Sequence, residues 1–188
     1  MTHGQTTNTG GACSYELDSD LRISSVDTGW SEFASTNAAP QLAAPAPVGQ
    51  PLFSYIRDLT TVHLYRRLFD RVARTEQPVT FTFRCDAPAL RRLLEMEIRP
   101  GAIAGLRLQT RVVRLEPRVR VALLDPLIAR TGAALRMCSW CKAVDADGRW
   151  CEVEEAVAHL RLFERERLPD ITHGICPPCE ARIEALLD

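Results

Sequence analysis

Two C-x2-C pairs, Cys138-Ser-Trp-Cys141 and Cys176-Pro-Pro-Cys179, stand 34 residues apart near the end of this 188-residue chain. A C-x2-C step sets two thiolates on one tight turn, and two such turns supply the four soft ligands of a tetrahedral zinc site. The second pair opens a helical pattern in which Ile183, Leu186 and Leu187 form one apolar stripe. Pro177 and Pro178 suit the first turn of that helix, where a missing N–H costs little. The positive end of the helix also favours thiolate at Cys179. A knuckle first and a knuckle opening a helix last is a treble-clef-like order. Between them Val153, Ala156, Val157, Leu160 and Phe163 mark a second amphipathic helix.

A segment of about 50 residues rarely buries enough apolar surface to fold without a staple. Residues 137–188 are therefore expected to form a small module around a structural Zn held by Cys138, Cys141, Cys176 and Cys179. His173, three residues before Cys176, and Cys151, beside Trp150, are candidate alternate or supporting ligands. The plainer readings are that His173 orders a His-Gly turn and that Cys151 packs inside.

Other chemistries compete for the same thiols. CPPC before a helix resembles a thioredoxin-type redox motif, but no βαβ pattern surrounds it and the other C-x2-C is left unexplained. Reversible disulfide formation within the C-x2-C pairs, Cys138–Cys141 or Cys176–Cys179, with metal release, a thiol redox switch, stays open as an alternative. An iron–sulfur cluster takes the same four-cysteine set. Haem attachment is disfavoured because the histidine of C-x-x-C-H is absent. Cys13 and Cys85 have no visible base partner and are expected to be idle or buried thiols.

Seven cysteines matter because of where the chain is expected to reside. The N-terminal MTHGQTTNTGG lacks the basic start and apolar stretch of a secretory signal, and no apolar run approaches the roughly 20 residues of a membrane span. A cytoplasmic location with no membrane partner is the expectation, and in a reducing compartment cysteines serve metal or redox chemistry more often than structural disulfides. The net charge of −1 excludes a generally polycationic nucleic-acid binder. The basic residues are unevenly chosen, 22 arginines and the single lysine Lys142.

The rest of the chain reads as an α+β domain. Residues 1–14 lack periodicity and read as a flexible tail. Tyr15–Ile23 alternates around an Asp-Ser-Asp turn, a short hairpin. Trp30, Phe33 and Ala34 suggest one or two helical turns, and the Ala/Pro-rich 38–51 is a loop. From Thr61 to Thr75 the apolar face Tyr65, Leu68, Phe69 and Val72 predicts a helix. Strands are predicted over 79–84, 93–99 and 105–115, giving a five-stranded antiparallel sheet. Residues 119–136 read as a connector in which Pro126 opposes one unbroken helix. Charge shifts beyond it: residues 15–118 carry 14 arginines against 12 acids, whereas 137–188 carry 6 basic residues against 11 acids.

This order of elements, with the phrases YELDSDLRISSVDTGWSEFA and VGQPLFSYI and the closing meander, resembles the PAS sensor fold over residues 15–118. The resemblance implies a sheet cradling short helices, with a ligand or cofactor pocket, and homodimerisation. MCSWCK, GRWCEVEEAV and ITHGICPPC resemble a cysteine-rich tail found at the ends of some bacterial sensor kinases and response regulators, over residues 137–180. Together they imply a bacterial signalling protein that senses a ligand or binds a protein partner. His63, the obvious haem ligand in such a fold, shares a polar face with Arg66, Arg67 and Asp70 and is expected to be exposed. Arginines of the meander form either a solvated face, with Glu95 and Glu97 as cross-strand pairs, or a surface for nucleic acid. No P-loop, GxSxG, HExxH or kinase signature is present, so no enzymatic activity is expected.

Overall fold

The computed structural model describes residues 12–36, 39, 42–102 and 104–187. Most of the expected N-terminal tail and part of the 38–51 loop lie outside the described residues. The architecture is α+β, with a five-stranded antiparallel sheet followed by a four-stranded one.

Strand β1 (Cys13–Leu17) begins inside the segment expected to be tail and turns back as β2 (Ile23–Val26). The Asp18 carboxylate shapes the turn by accepting from the N–H groups of Asp20 and Arg22, each at 2.9 Å. Helix α1 (Thr28–Thr36) follows, with Asp27 accepting from the Trp30 N–H at 2.8 Å. Helix α2 (Leu59–Thr75) starts two residues earlier than its apolar pattern predicts, because Asp58 caps it by accepting from the Thr61 N–H at 2.7 Å.

The meander consists of β3 (Val79–Arg84), β4 (Leu90–Pro100) and β5 (Leu106–Pro117). The sheet order is β2-β1-β5-β4-β3. Alternation decides its two faces. Phe81, Met96, Ile98, Leu108 and Leu17 point into a core covered by Leu64, Leu68, Phe69 and Val72 of α2. The other face carries cross-strand ion pairs, Arg111–Glu95 at 2.6 Å and Arg107–Glu16 at 3.6 Å. Glu97 pairs instead along its own strand, with Arg99. Gly105 lets β5 start against β1, since a Cβ there would sit 2.0 Å from the Leu17 carbonyl oxygen.

The segment expected to be a connector contains most of a strand, β6 (Arg130–Cys138). It forms the second sheet, order β8-β7-β6-β9, with β7 (Val144–Ala146), β8 (Arg149–Cys151) and β9 (Leu168–Gly174). Asp147 and Gly148 both have positive φ, the two-residue hairpin loop that Asp-Gly favours. Helix α3 (Val153–His159) buries Val153 and Ala156, then gives way to a 3-10 turn over Leu162–Glu164. The apolar stripe therefore ends early, and Phe163, expected on it, is 69% exposed. Helix α4 (Pro177–Glu184) closes the chain's regular structure.

β6 and β9 run parallel, and consecutive residues of β6 serve different cores. Met137 belongs to a cluster with Val144, Val153, Ala156 and Leu162, whereas Cys138 belongs to the core of the first sheet. The two sheets meet along β3, an edge strand whose outward backbone groups the C-terminal part uses. The Arg84 N–H donates to the Trp140 carbonyl at 2.7 Å, and Arg182 donates to the Thr82 carbonyl at 3.2 Å. This contact covers an edge otherwise free to pair with another chain.

Candidate metal centre

Each C-x2-C pair sits where backbone geometry has left a tight turn. β6 ends at Cys138, and the chain doubles back through Ser139–Lys142 into β7. The Cys138 N–H donates to the Ala143 carbonyl at 2.7 Å, and the Lys142 N–H returns to the Cys138 carbonyl at 3.1 Å. Lys142 holds φ at +63°, a left-handed conformation usually given to glycine. The second pair opens α4: Cys176 is its N-cap residue, and the Cys179 and Glu180 N–H groups both reach the Cys176 carbonyl at 3.0 Å.

Parallel pairing of β6 with β9 brings the two turns together. Its register sets Gly174 opposite Cys138, so Cys176 emerges two residues beyond the strand end, beside the first knuckle. The Cys176 N–H lies 3.5 Å from the Cys138 sulfur. Cys141 Sγ and Cys176 Sγ are 3.6 Å apart, and all four Sγ atoms lie within 4.8 Å of one another. Tetrahedral ligation with Zn–S bonds of about 2.3 Å requires sulfurs about 3.8 Å apart. The donor set and its spacing therefore fit a soft, four-coordinate metal ion. Cys138, Cys176 and Cys179 are buried and Cys141 partly so, an enclosed arrangement suited to holding a metal.

Protons on these sulfurs are strongly interdependent. Thiol donation from Cys141 and Cys179, aided by backbone N–H groups, holds Cys138 far below its ordinary value despite burial. Sharing with Cys138 pushes Cys141 up to about 12 and also raises Cys179, with burial adding to both. One thiolate is thus readily formed, while the neighbouring thiols resist adding negative charge. A bound dication reverses this penalty by making thiolate the favoured form at every ligand. Arg182, 3.8 Å from Cys179 Sγ, supplies positive charge beside the group.

The structure brings Cys138, Cys141, Cys176 and Cys179 together and leaves the two alternates outside that group. Cys151 packs in the second core with its thiol 3.8 Å from the Val144 carbonyl. His173 lines a cleft beside the knuckle, where burial and the Lys142 ammonium hold its imidazole below the ordinary value. Cys13 lines an apolar pocket, and burial followed by Asp27 pushes it up to about 11. His63 is exposed on α2. Among the described residues no helix is long and apolar enough to cross a membrane.

Two features of the site escape a reading of the sequence. Trp140, between the paired cysteines, is 2% exposed and stacks on Tyr65 of α2 at 5.2 Å between ring centroids. Its apolarity inside a turn was the available signal. The second feature is a charged junction. Asp86, with a side chain only 1% exposed, pairs with Arg84 and, at 3.3 Å, with Arg118. Arg84 reaches on to Glu152 at 2.7 Å, and Arg91 to Glu154 at 2.8 Å, so the network ties the meander to the start of α3. Charge counts alone could not locate these pairs.

A scan against protein-family models finds no match, and a search of curated proteins finds no related sequence.

Proposed function

We propose that this chain is a cytoplasmic bacterial signalling protein in which a structural zinc ion fastens a treble-clef-like tail to a PAS-like sheet. The observation that carries the metal reading is the meeting of four cysteine sulfurs within 4.8 Å of one another. The zinc role is architectural, because three of the ligands are buried and the set is complete without water or substrate. A hairpin ending in one cysteine pair and a helix opened by the other support the treble-clef likeness. Hairpin strands, a helical middle and a meander joined in one antiparallel sheet support the PAS likeness. On this reading the protein works by sensing a small molecule or by binding a protein partner, a second copy of the chain included, and catalyses no reaction.

Metal analysis with an absorption spectrum, on protein purified without chelator, tests the proposal. The expected result is one zinc per chain and no visible absorption. Absence of both zinc and iron overturns the metal reading, and a broad visible band replaces zinc with an iron–sulfur cluster.

The approach of Cys141 to Cys176 at 3.6 Å favours a second reading, a thiol switch. Mild peroxide would take two electrons from a pair of metal-bound thiolates and two protons from solvent, leaving a disulfide and two waters and releasing the metal. Thiols unchanged at peroxide levels that modify free cysteine would exclude it.

A further inference from the structure

The cleft beside the knuckle takes no part in holding the metal, yet it has the makings of a site. Its volume of about 710 Å³ lies within the roughly 300–1,000 Å³ of cavities that take small organic molecules. It opens where the two sheets meet, apart from the apolar pocket of about 220 Å³ beside Trp30, Phe33 and Met96. Three segments wall it: residues 55–58 ahead of α2, residues 83–85 at the end of β3, and the knuckle with β9. Tyr55 and Tyr65 give it an aromatic wall, with the buried ring of Trp140 stacked behind Tyr65. Trp140 also carries a buried indole N–H with no hydrogen-bond partner.

Charge in the cleft is one-sided. Arg57, Arg84 and Lys142 line it against one carboxylate, Asp58, which is already engaged by the Thr61 N–H and hydroxyl. Arg84 is held by Asp86 and Glu152. Arg57 and Lys142 make no ion pair among the described residues, and the Lys142 ammonium donates to the Ser139 carbonyl at 3.1 Å. In a chain with 22 arginines, the one lysine occupies this wall on a left-handed backbone that glycine would adopt more easily.

We propose that this cleft binds a planar aromatic anion, a ring bearing a carboxylate or phosphate group, with the ring against Tyr55 and Tyr65 and the anionic group held by Lys142 and Arg57. Aromatic faces reward a flat apolar body, and unpaired cations in a partly enclosed site reward an anion. The inference deepens the sensing reading above and rests on it. Lys142 follows the metal-binding Cys141 directly, so ligand and metal act on the same turn of chain.

Isothermal titration of the 188-residue chain, its metal content first measured, with 2-naphthoate, 2-naphthyl phosphate and neutral 2-naphthamide tests it. Saturable one-to-one binding of at least one anion is expected, with the amide at least ten-fold weaker. The preferred anion identifies the headgroup. Lys142→Met should weaken the anion at least ten-fold and Arg57→Ala several-fold, each with metal content and unfolding midpoint unchanged. The proposal is overturned if neither anion saturates at millimolar concentration, if the amide binds equally well, or if both variants bind like the parent. Metal retained without anion binding sinks only the cleft proposal, whereas a metal-free parent protein counts against the metal reading alone.

Discussion

Trp140 lies stacked on Tyr65, with ring centroids 5.2 Å apart and planes 29° from parallel, so the turn carrying one cysteine pair is inserted into the core beneath the other sheet. Phe81 of β3 completes the cluster at 5.7 Å from the indole. A turn anchored this way positions Cys138 and Cys141 from the first sheet as well as from their own.

Replacing Trp140 by alanine should remove the wedge joining the two sheets. Large-to-small aromatic substitutions in packed cores cost about 3–5 kcal/mol. The expected outcome is a loss of that size in chemical denaturation, with W140F losing clearly less. An alanine variant as stable as the parent would show that the stack contributes nothing to the junction.

If the four cysteines hold the proposed metal, its removal should loosen α4 and the knuckle before the central strands. A strong chelator is expected to abolish amide-exchange protection around Cys138–Ala143 and in α4 while β4 and β5 retain theirs. A loss of about 5 kcal/mol corresponds to a fall of roughly 10–20 °C in Tm for a chain of this size. Calorimetry with and without chelator measures it, and superimposable traces would contradict a structural metal.

Asp86→Asn should be severe for a loop residue. The carboxylate is buried with Arg84 and Arg118, whose side chains are 14% and 6% exposed, so the substitution leaves buried positive charge uncompensated. Breaking one partner of a buried pair costs about 3–5 kcal/mol. A charge-neutral replacement of similar shape separates this cost from packing, and urea denaturation gives the number.

Asp27 links β1 to the start of α1 and carries a pH signature. Burial raises its carboxyl pKa, but hydrogen bonds from the Ser14 N–H and hydroxyl and the Trp30 N–H outweigh it, and Arg107 adds to them. The folded value is therefore depressed. Its stabilisation is present above the unfolded carboxyl pKa of about 3.9 and is lost as pH falls through the folded value. Asp27→Asn can keep the cap on Trp30, since asparagine caps as well as aspartate, but its amide nitrogen cannot accept from the Ser14 N–H, and a loss of about 1 kcal/mol at pH 7, the worth of one hydrogen bond, is expected. The gap between variant and parent should close below about pH 4. A gap independent of pH would remove the carboxylate from the account.

Local patterns made much of this fold legible. The alternation in VTFTFR and in Leu94, Met96 and Ile98 identifies β3 and the inward face of β4, because a half-buried strand can hide only every second residue. The spacing of Leu68, Phe69 and Val72 identifies α2, and the Pro-Pro step after Cys176 identifies the opening of α4. Four cysteines in two turns were legible as one ligand set for a similar reason, since C-x2-C geometry is local.

Long-range choices were not legible. Strand β6 hides in a stretch interrupted by Gly132 and largely exposed until Met137, so its periodicity is weak, and only pairing with β9 makes it a strand. That parallel register brings the cysteine pairs within reach and sets Cys151 apart in another core. Trp140 and Asp86 likewise acquire their roles from partners 75 and 32 residues away, at Tyr65 and Arg118. Residue type and spacing determined which thiols could share a metal. Tertiary packing decided what surrounds them, because burial and charge pairing depend on neighbours that no local pattern encodes.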